Sequence, residues 1–126
     1  MKLRILNNSI RLRLSMSEVS EVSTDNIVKG EVKFSGGETF KYFLKSLPDT
    51  YVTDVKFDRE SLIISLPSSK IFDWADSNQV SIKEIQELPD GDNLTILVEK
   101  DFQCLTPRDE DESDLFPHPE GNDLNQ

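Results

Sequence analysis

"LRILNNSIRLRLS", residues 3–15, places Leu3, Ile5, Ile10, Leu12 and Leu14 in alternation with Arg4, Arg11 and Arg13, on either side of Asn7-Asn8. A period of two is the pattern of a half-buried strand, with successive side chains on opposite faces. Asparagine tolerates the positive φ that a tight reversal requires. The stretch is therefore predicted to be a hairpin with a two-residue turn. That turn fixes the register, so Arg4 stands opposite Arg11 and Lys2 opposite Arg13. Four cations then share one face, where like charges in cross-strand pairs repel by about 0.2–1 kcal/mol each unless carboxylates or an anion intervene.

Working outward, Ser15 and Glu18 have the spacing of a capping box, which predicts a short helix with Val19 and Val22 inward. Val28, Val32 and Phe34 next alternate with Lys29, Glu31 and Lys33. Gly36-Gly37 reverses the chain, and Phe40, Tyr42 and Leu44 alternate back. After Pro48 the order recurs. Val55 and Phe57 precede a turn at 58–61, followed by Leu62, Ile64 and Leu66. Pro67 opens a second helix carrying Ile71, Trp74 and Ala75. Val80 and Ile82 begin the next strand, Pro89-Asp90-Gly91 turns the chain, and Leu94, Ile96 and Val98 form the last strand.

A shift of 52 residues superposes these halves: Leu3 falls on Val55, Ile5 on Phe57, Ile10 on Leu62, Leu14 on Leu66, Val19 on Ile71, Val22 on Trp74 and Val28 on Val80. Hydrophobic pattern alone aligns many strand-helix-strand segments. A shared element order at a single offset is the stronger sign of internal duplication. Near Glu84 the alternation slips and Ile85 falls out of phase, which predicts a bulge. The expected fold is α+β: two tandem ββαββ halves, 1–47 and 53–102, close a small pseudo-two-fold, mostly antiparallel barrel or sheet with two short helices. They make one domain, 1–108. Residues 109–126 form an acidic disordered tail.

Charge sharpens this division. The 126 residues carry 14 Lys/Arg and 24 Asp/Glu, a net of −10. Residues 109–126 hold seven carboxylates and no Lys or Arg, so residues 1–108 carry 14 − 17 = −3. Within the body, 1–47 is basic (8 − 5 = +3) and 53–108 acidic (6 − 11 = −5). An acidic whole disfavours non-specific binding to nucleic acid or anionic membranes. The lone Cys104 has no internal disulfide partner, and no apolar run has the length of a signal or membrane segment. The expected location is the cytoplasm.

The stretch "NNSIRLRLS" resembles the turn, Asn-Ser pair, arginine and aliphatic residue that precede the short helix in swapped-hairpin proteins of the AbrB/MazE type, bacterial transcription regulators and antitoxins. In the second half, "IISLPSSKIFDWADSNQVSI" and "PDGDNLTILVEK" are similar to that family's strand, Pro-led helix, strand and closing hairpin. The resemblance implies a barrel that this chain completes from its own two halves. It also implies that Arg13 falls on the motif arginine and Arg4 near a basic position that contacts DNA backbone. Yet Ser65 stands at the counterpart of Arg13 and Glu60 at that of Asn8, whereas a two-fold reader of DNA needs both halves basic. From end to end the chain also resembles small uncharacterised bacterial proteins sharing "NSIRLRLS", "SEV" and "VEKDFQCL", which have no assigned activity.

Three partners for Lys2, Arg4, Arg11 and Arg13 remain open: internal carboxylates, from Glu31 or from the acidic half; the acidic tail; or a phosphate or acidic partner suited to the planar fork of arginine. In the tail, "DEDESDLFPHPEGNDLNQ", Leu115 and Phe116 either rest on the parent domain or grip a partner, as acidic tails of the resembled antitoxins wrap a basic toxin. Asp109, Asp111, Ser113 and Glu120 have calcium-loop spacing, but Asp114 replaces the required glycine and prolines interrupt the loop, so no metal site is expected. His118 lies between prolines, and Cys104 has no placed base. No phosphate-binding glycine loop or zinc spacing occurs, and no cofactor is expected. On the second helix Trp74 is expected in the core and Phe72 at the surface.

These readings point to a non-enzymatic protein-interaction module, monomeric or homodimeric, acting through the arginine hairpin or the tail. The alternatives are an asymmetric DNA-binding regulator or antitoxin-like protein, and an unrecognised enzyme.

Overall fold

Local sequence places each element of the chain. The computed structural model describes residues 1–103 and 112–117; Cys104 and His118 lie outside them. The described elements run β1 (Lys2–Leu6), β2 (Ser9–Leu14), α1 (Met16–Asp25), β3 (Ile27–Lys33), β4 (Thr39–Leu47), β5 (Asp54–Asp58), β6 (Ser61–Pro67), α2 (Ser68–Ala75), β7 (Ser81–Glu87) and β8 (Asn93–Lys100). Asn7 has φ 52° in the β1–β2 turn, and Arg59 takes the same left-handed conformation, φ 57°, in the β5–β6 turn. α1 begins with the expected box: Ser15 accepts from the Glu18 backbone N–H while the Glu18 carboxylate accepts from Ser15 N. It ends at Asn26 in the left-handed region, which closes the helix and turns the chain into β3.

The strands form two four-stranded sheets, β1-β2-β8-β7 and β3-β4-β6-β5. Each sheet takes one hairpin from each half of the chain. The four hairpin pairings are antiparallel, whereas the central pairings, β2 with β8 and β4 with β6, are parallel. Each parallel pair joins a strand of one half to a strand of the other and places their inward residues in phase, Leu12 beside Val98 and Leu44 beside Ile64. These four residues, with Leu14, Leu66 and Ile96, are among the most deeply buried side chains. The helices pack against each other and place Val19, Val22, Ile71 and Trp74 in the same core. Full burial of an aliphatic or aromatic side chain of this size contributes roughly 1.5–3 kcal/mol. The Trp74 indole also donates to the Val80 carbonyl at 3.0 Å, so its polar atom is satisfied inside the core.

Counterpart bonds recur in the two sheets. Phe34 N donates to Glu38 O and Leu88 N to Asp92 O; Ser46 N donates to Asn26 O and Lys100 N to Val80 O; Lys41 N donates to Glu60 O and Thr95 N to Asn8 O. Gly37 and Gly91 hold φ 93° and 92° in the matching turns. These correspondences correct the expected single offset. Counterparts lie 52 apart through the helix starts but 54 apart after the helices, as with Ser46 and Lys100. The connection to the next strand is one residue after α1 and five after α2, while α2 is two residues shorter. Val28 therefore corresponds to buried Ile82, and Val80 precedes β7.

Three further expectations are revised. No bulge occurs at Glu84, because β7 pairs with β8 without interruption from Ser81↔Glu99 to Glu87↔Asn93, and Ile85 simply points outward. Ile5 is 60 % exposed and Phe57 71 % exposed, since both lie near the tips of edge strands, beyond the reach of the core. Residues 112–117 of the tail, expected to be disordered, pack on the body.

Candidate functional site

The hairpin has the register that its turn dictates, with Lys2↔Arg13 and Arg4↔Arg11. Their charges meet carboxylates carried by the other half. The parallel pairing sets Arg13 beside Glu99, and Arg13 Nε donates to Glu99 Oε1 at 2.6 Å. Arg11 Nε lies 3.5 Å from that same oxygen, so the two guanidinium groups share one carboxylate. Lys2 Nζ pairs with Asp101 Oδ2 at 2.8 Å. Of the two expected internal sources, the acidic half supplies these carboxylates. Glu31 belongs to the other sheet and lies near Lys29, at 3.9 Å. Arg4 is exposed and has no ion pair among the described residues, and the neighbouring Ile5 and Leu6 are 60 % and 66 % exposed.

Leu115 and Phe116 do not project from the molecule. Leu115 is buried, and Phe116 packs edge-on against Phe102, with ring centroids 5.6 Å apart. Phe116 N donates to Asp101 O at 2.9 Å, and the segment forms a parallel bridge with Phe102. Asp114 then meets the start of α1: its carboxylate accepts from Ser17 Oγ at 2.6 Å and Ser17 N at 3.2 Å, and its carbonyl accepts from Met16 N at 2.9 Å. A carboxylate at a helix N-terminus satisfies unpaired N–H groups and complements the helix dipole. Hydrogen bonds from the Ser17 and Ser15 side chains hold the Asp114 carboxyl below the usual carboxylate range. An apolar pair and one capping acid thus order a segment whose composition alone favours solvation.

Lys100 was not anticipated as a site residue. It is only 7 % exposed, and its ammonium donates to the Ser77 carbonyl at 2.7 Å and lies 5.4 Å from the Phe116 ring centroid. Burial pushes its pKa down. The sequence carries a signal for this placement, because Lys100 continues the parity of Leu94, Ile96 and Val98, the inward row of β8. The side chain borders a cleft of about 550 Å³ whose walls include Ala75, Val80, Phe102 and Phe116. Phe72 is exposed and Trp74 buried, as expected. No group of His, Cys, Asp and Glu among the described residues is arranged to hold a metal ion. No helix among them is long and apolar enough to cross a membrane.

Two mixed sheets, two core helices, an ion-paired hairpin and a docked acidic segment define an α+β protein in which each sheet combines two separate hairpins of the chain. The chain belongs to a family of unknown function (DUF7009), whose pattern matches residues 1–120. No curated protein and no solved structure matches it.

Proposed function

We propose that the chain is a non-enzymatic protein-binding module of the bacterial cytoplasm, and that the edge of β1 receives an acidic, extended segment of its partner. One observation carries this reading: Arg4 lacks an ion pair among the described residues and stands beside exposed Ile5 and Leu6 on a strand whose one described neighbour is β2. An edge strand offers unpaired backbone N–H and C=O groups, which a second strand extends by main-chain hydrogen bonding while alternate side chains set specificity. Arg4 favours a carboxylate on that strand, and Ile5 favours an apolar neighbour.

The same reading takes the halves as a fused duplication of a swapped-hairpin unit like those of AbrB/MazE proteins. The recurrence of counterpart turn and bridge bonds in both sheets supports it. The Arg11 and Arg13 charges are not duplicated, since their counterparts are Ile63 and Ser65, although Lys56 stands at the counterpart of Arg4. That favours a protein partner over a two-fold DNA site.

The test is a photocrosslinking amino acid in place of Leu6 in the full chain, activated in cells. The expected result is an adduct with a distinct protein, or with a second copy of the chain, that disappears in Arg4→Glu. A nuclease-sensitive adduct, or an adduct indifferent to Arg4→Glu, contradicts the proposal.

A further inference from the structure

A buried ammonium is costly unless a counter-charge or several hydrogen bonds replace its lost water. Among the described residues Lys100 has neither in full. Of its three N–H donors, one is accounted for by the Ser77 carbonyl, and the Phe116 ring provides a cation–π contact. No carboxylate among the described residues lies within ion-pair distance of it. Asp101, next in the chain, pairs instead with Lys2. At the corresponding place in the other sheet stands the neutral Ser46, so the β-framework does not require a cation there.

A cleft lies beside this ammonium. Its volume, about 550 Å³, falls within the range of small-molecule sites, which combine mainly apolar walls with few polar groups. Ala75, Val80, Phe102, Phe116 and Pro117 supply the walls, and Asn78 adds an amide at the rim. The Ser77 hydroxyl is already engaged, donating to Asp73 O and accepting from Gln79 N. One cation and one amide suit a monoanion rather than a phosphate group, which calls for several donors and more positive charge.

We propose that this cleft binds a small monocarboxylate with an apolar body, its carboxylate on the Lys100 ammonium and its body against Phe102, Phe116 and Val80. The inference is independent of the β1 edge, since no residue is shared with it. Burial lowers the Lys100 pKa, in keeping with an ammonium that has no carboxylate neighbour among the described residues.

Trp74, the single tryptophan, reports on the site because its indole N–H is bonded to the carbonyl of Val80, a wall residue. The full-length protein is titrated with benzoate, phenylacetate and hexanoate, each beside its neutral amide, while the Trp74 indole N–H resonance is followed. At least one acid is expected to shift it saturably and to bind at least tenfold more tightly than its amide. Lys100→Met should erase that preference, and raising the pH of the unaltered protein through the Lys100 titration should weaken the acid but not the amide. The pH arm stands even if the variant fails to fold. Absence of saturable shifts with all three acids overturns the proposal, as does equal binding of acid and amide or a preference that survives deprotonation of Lys100.

Discussion

At the scale of single residues, Gly30 and Tyr42 show why a gap in a hydrophobic pattern carries information. Alternation along β3 places an apolar residue at 28 and 32 and glycine between them. Tyr42, directly across the ladder, lies over that glycine: a Cβ on Gly30 would collide with Tyr42 Cζ. The ring cannot retreat freely, because its hydroxyl donates to the Met1 carbonyl at 2.6 Å and its face stacks on Phe40. Burial raises the Tyr42 pKa, and the negative Glu18 adds to the effect. Gly30→Ala is expected to destabilise the fold by about 1–3 kcal/mol, the usual cost of overpacking. Urea melts of Gly30→Ala, Tyr42→Ala and the double variant check this, with the double costing clearly less than the sum. The missing side chain at 30 was legible in the sequence, but the ring that fills its space was not, since that depends on the pairing of β3 with β4.

At the scale of elements, α1 is capped twice. Ser15 and Glu18 form the local cap, readable from a spacing of three residues. Asp114 adds a second, from a position 97 residues away from Ser17, and anchors the segment that carries Leu115 and Phe116. Because hydrogen bonding depresses the Asp114 pKa, the folded state holds this proton less tightly than the unfolded chain. Its contribution is therefore present above the ordinary carboxyl value of 3.8 and is lost as pH falls through the lower, folded value. Amide protection factors at Leu115 and Phe116, taken against the intrinsic rate at each pH, are expected to fall across that acid window, while protection in β2 and β8 persists. Asp114→Ala should reproduce the loss of protection at neutral pH. The carboxylates that answer the arginine hairpin belong to the same lesson. Cross-strand repulsion was evident from the turn, yet Glu99 became identifiable only through the parallel pairing of β2 with β8.

At the scale of the molecule, that pairing and its counterpart, β4 with β6, make each sheet a joint product of both halves. Each half supplies central neighbours to the strands of the other, and the parallel contacts join residues 86 apart for β2 with β8 and 20 apart for β4 with β6. Unfolding is therefore expected to be a single cooperative transition, with Trp74 fluorescence and far-ultraviolet circular dichroism giving coincident curves in denaturant. A fragment of residues 1–50 should lack cooperative unfolding by itself, since β2 and β4 would both lose their central neighbours. Two separate transitions, or a stable isolated fragment, would contradict this architecture.

The sequence by itself determined what neighbouring residues decide: the period of the strands other than β7, the two-residue turn at Asn7-Asn8 and the hairpin register that follows, the Ser15–Glu18 cap, and the order of the ten described elements. These features rest on contacts within a few residues or across one short turn, so their physics is contained in a short stretch of chain. Only the tertiary structure decided which strands lie side by side in parallel, which carboxylate Arg11 and Arg13 share, where the 112–117 segment docks, and that Lys100 borders an apolar cleft. Those outcomes follow from burying one common core, a constraint distributed over the whole chain.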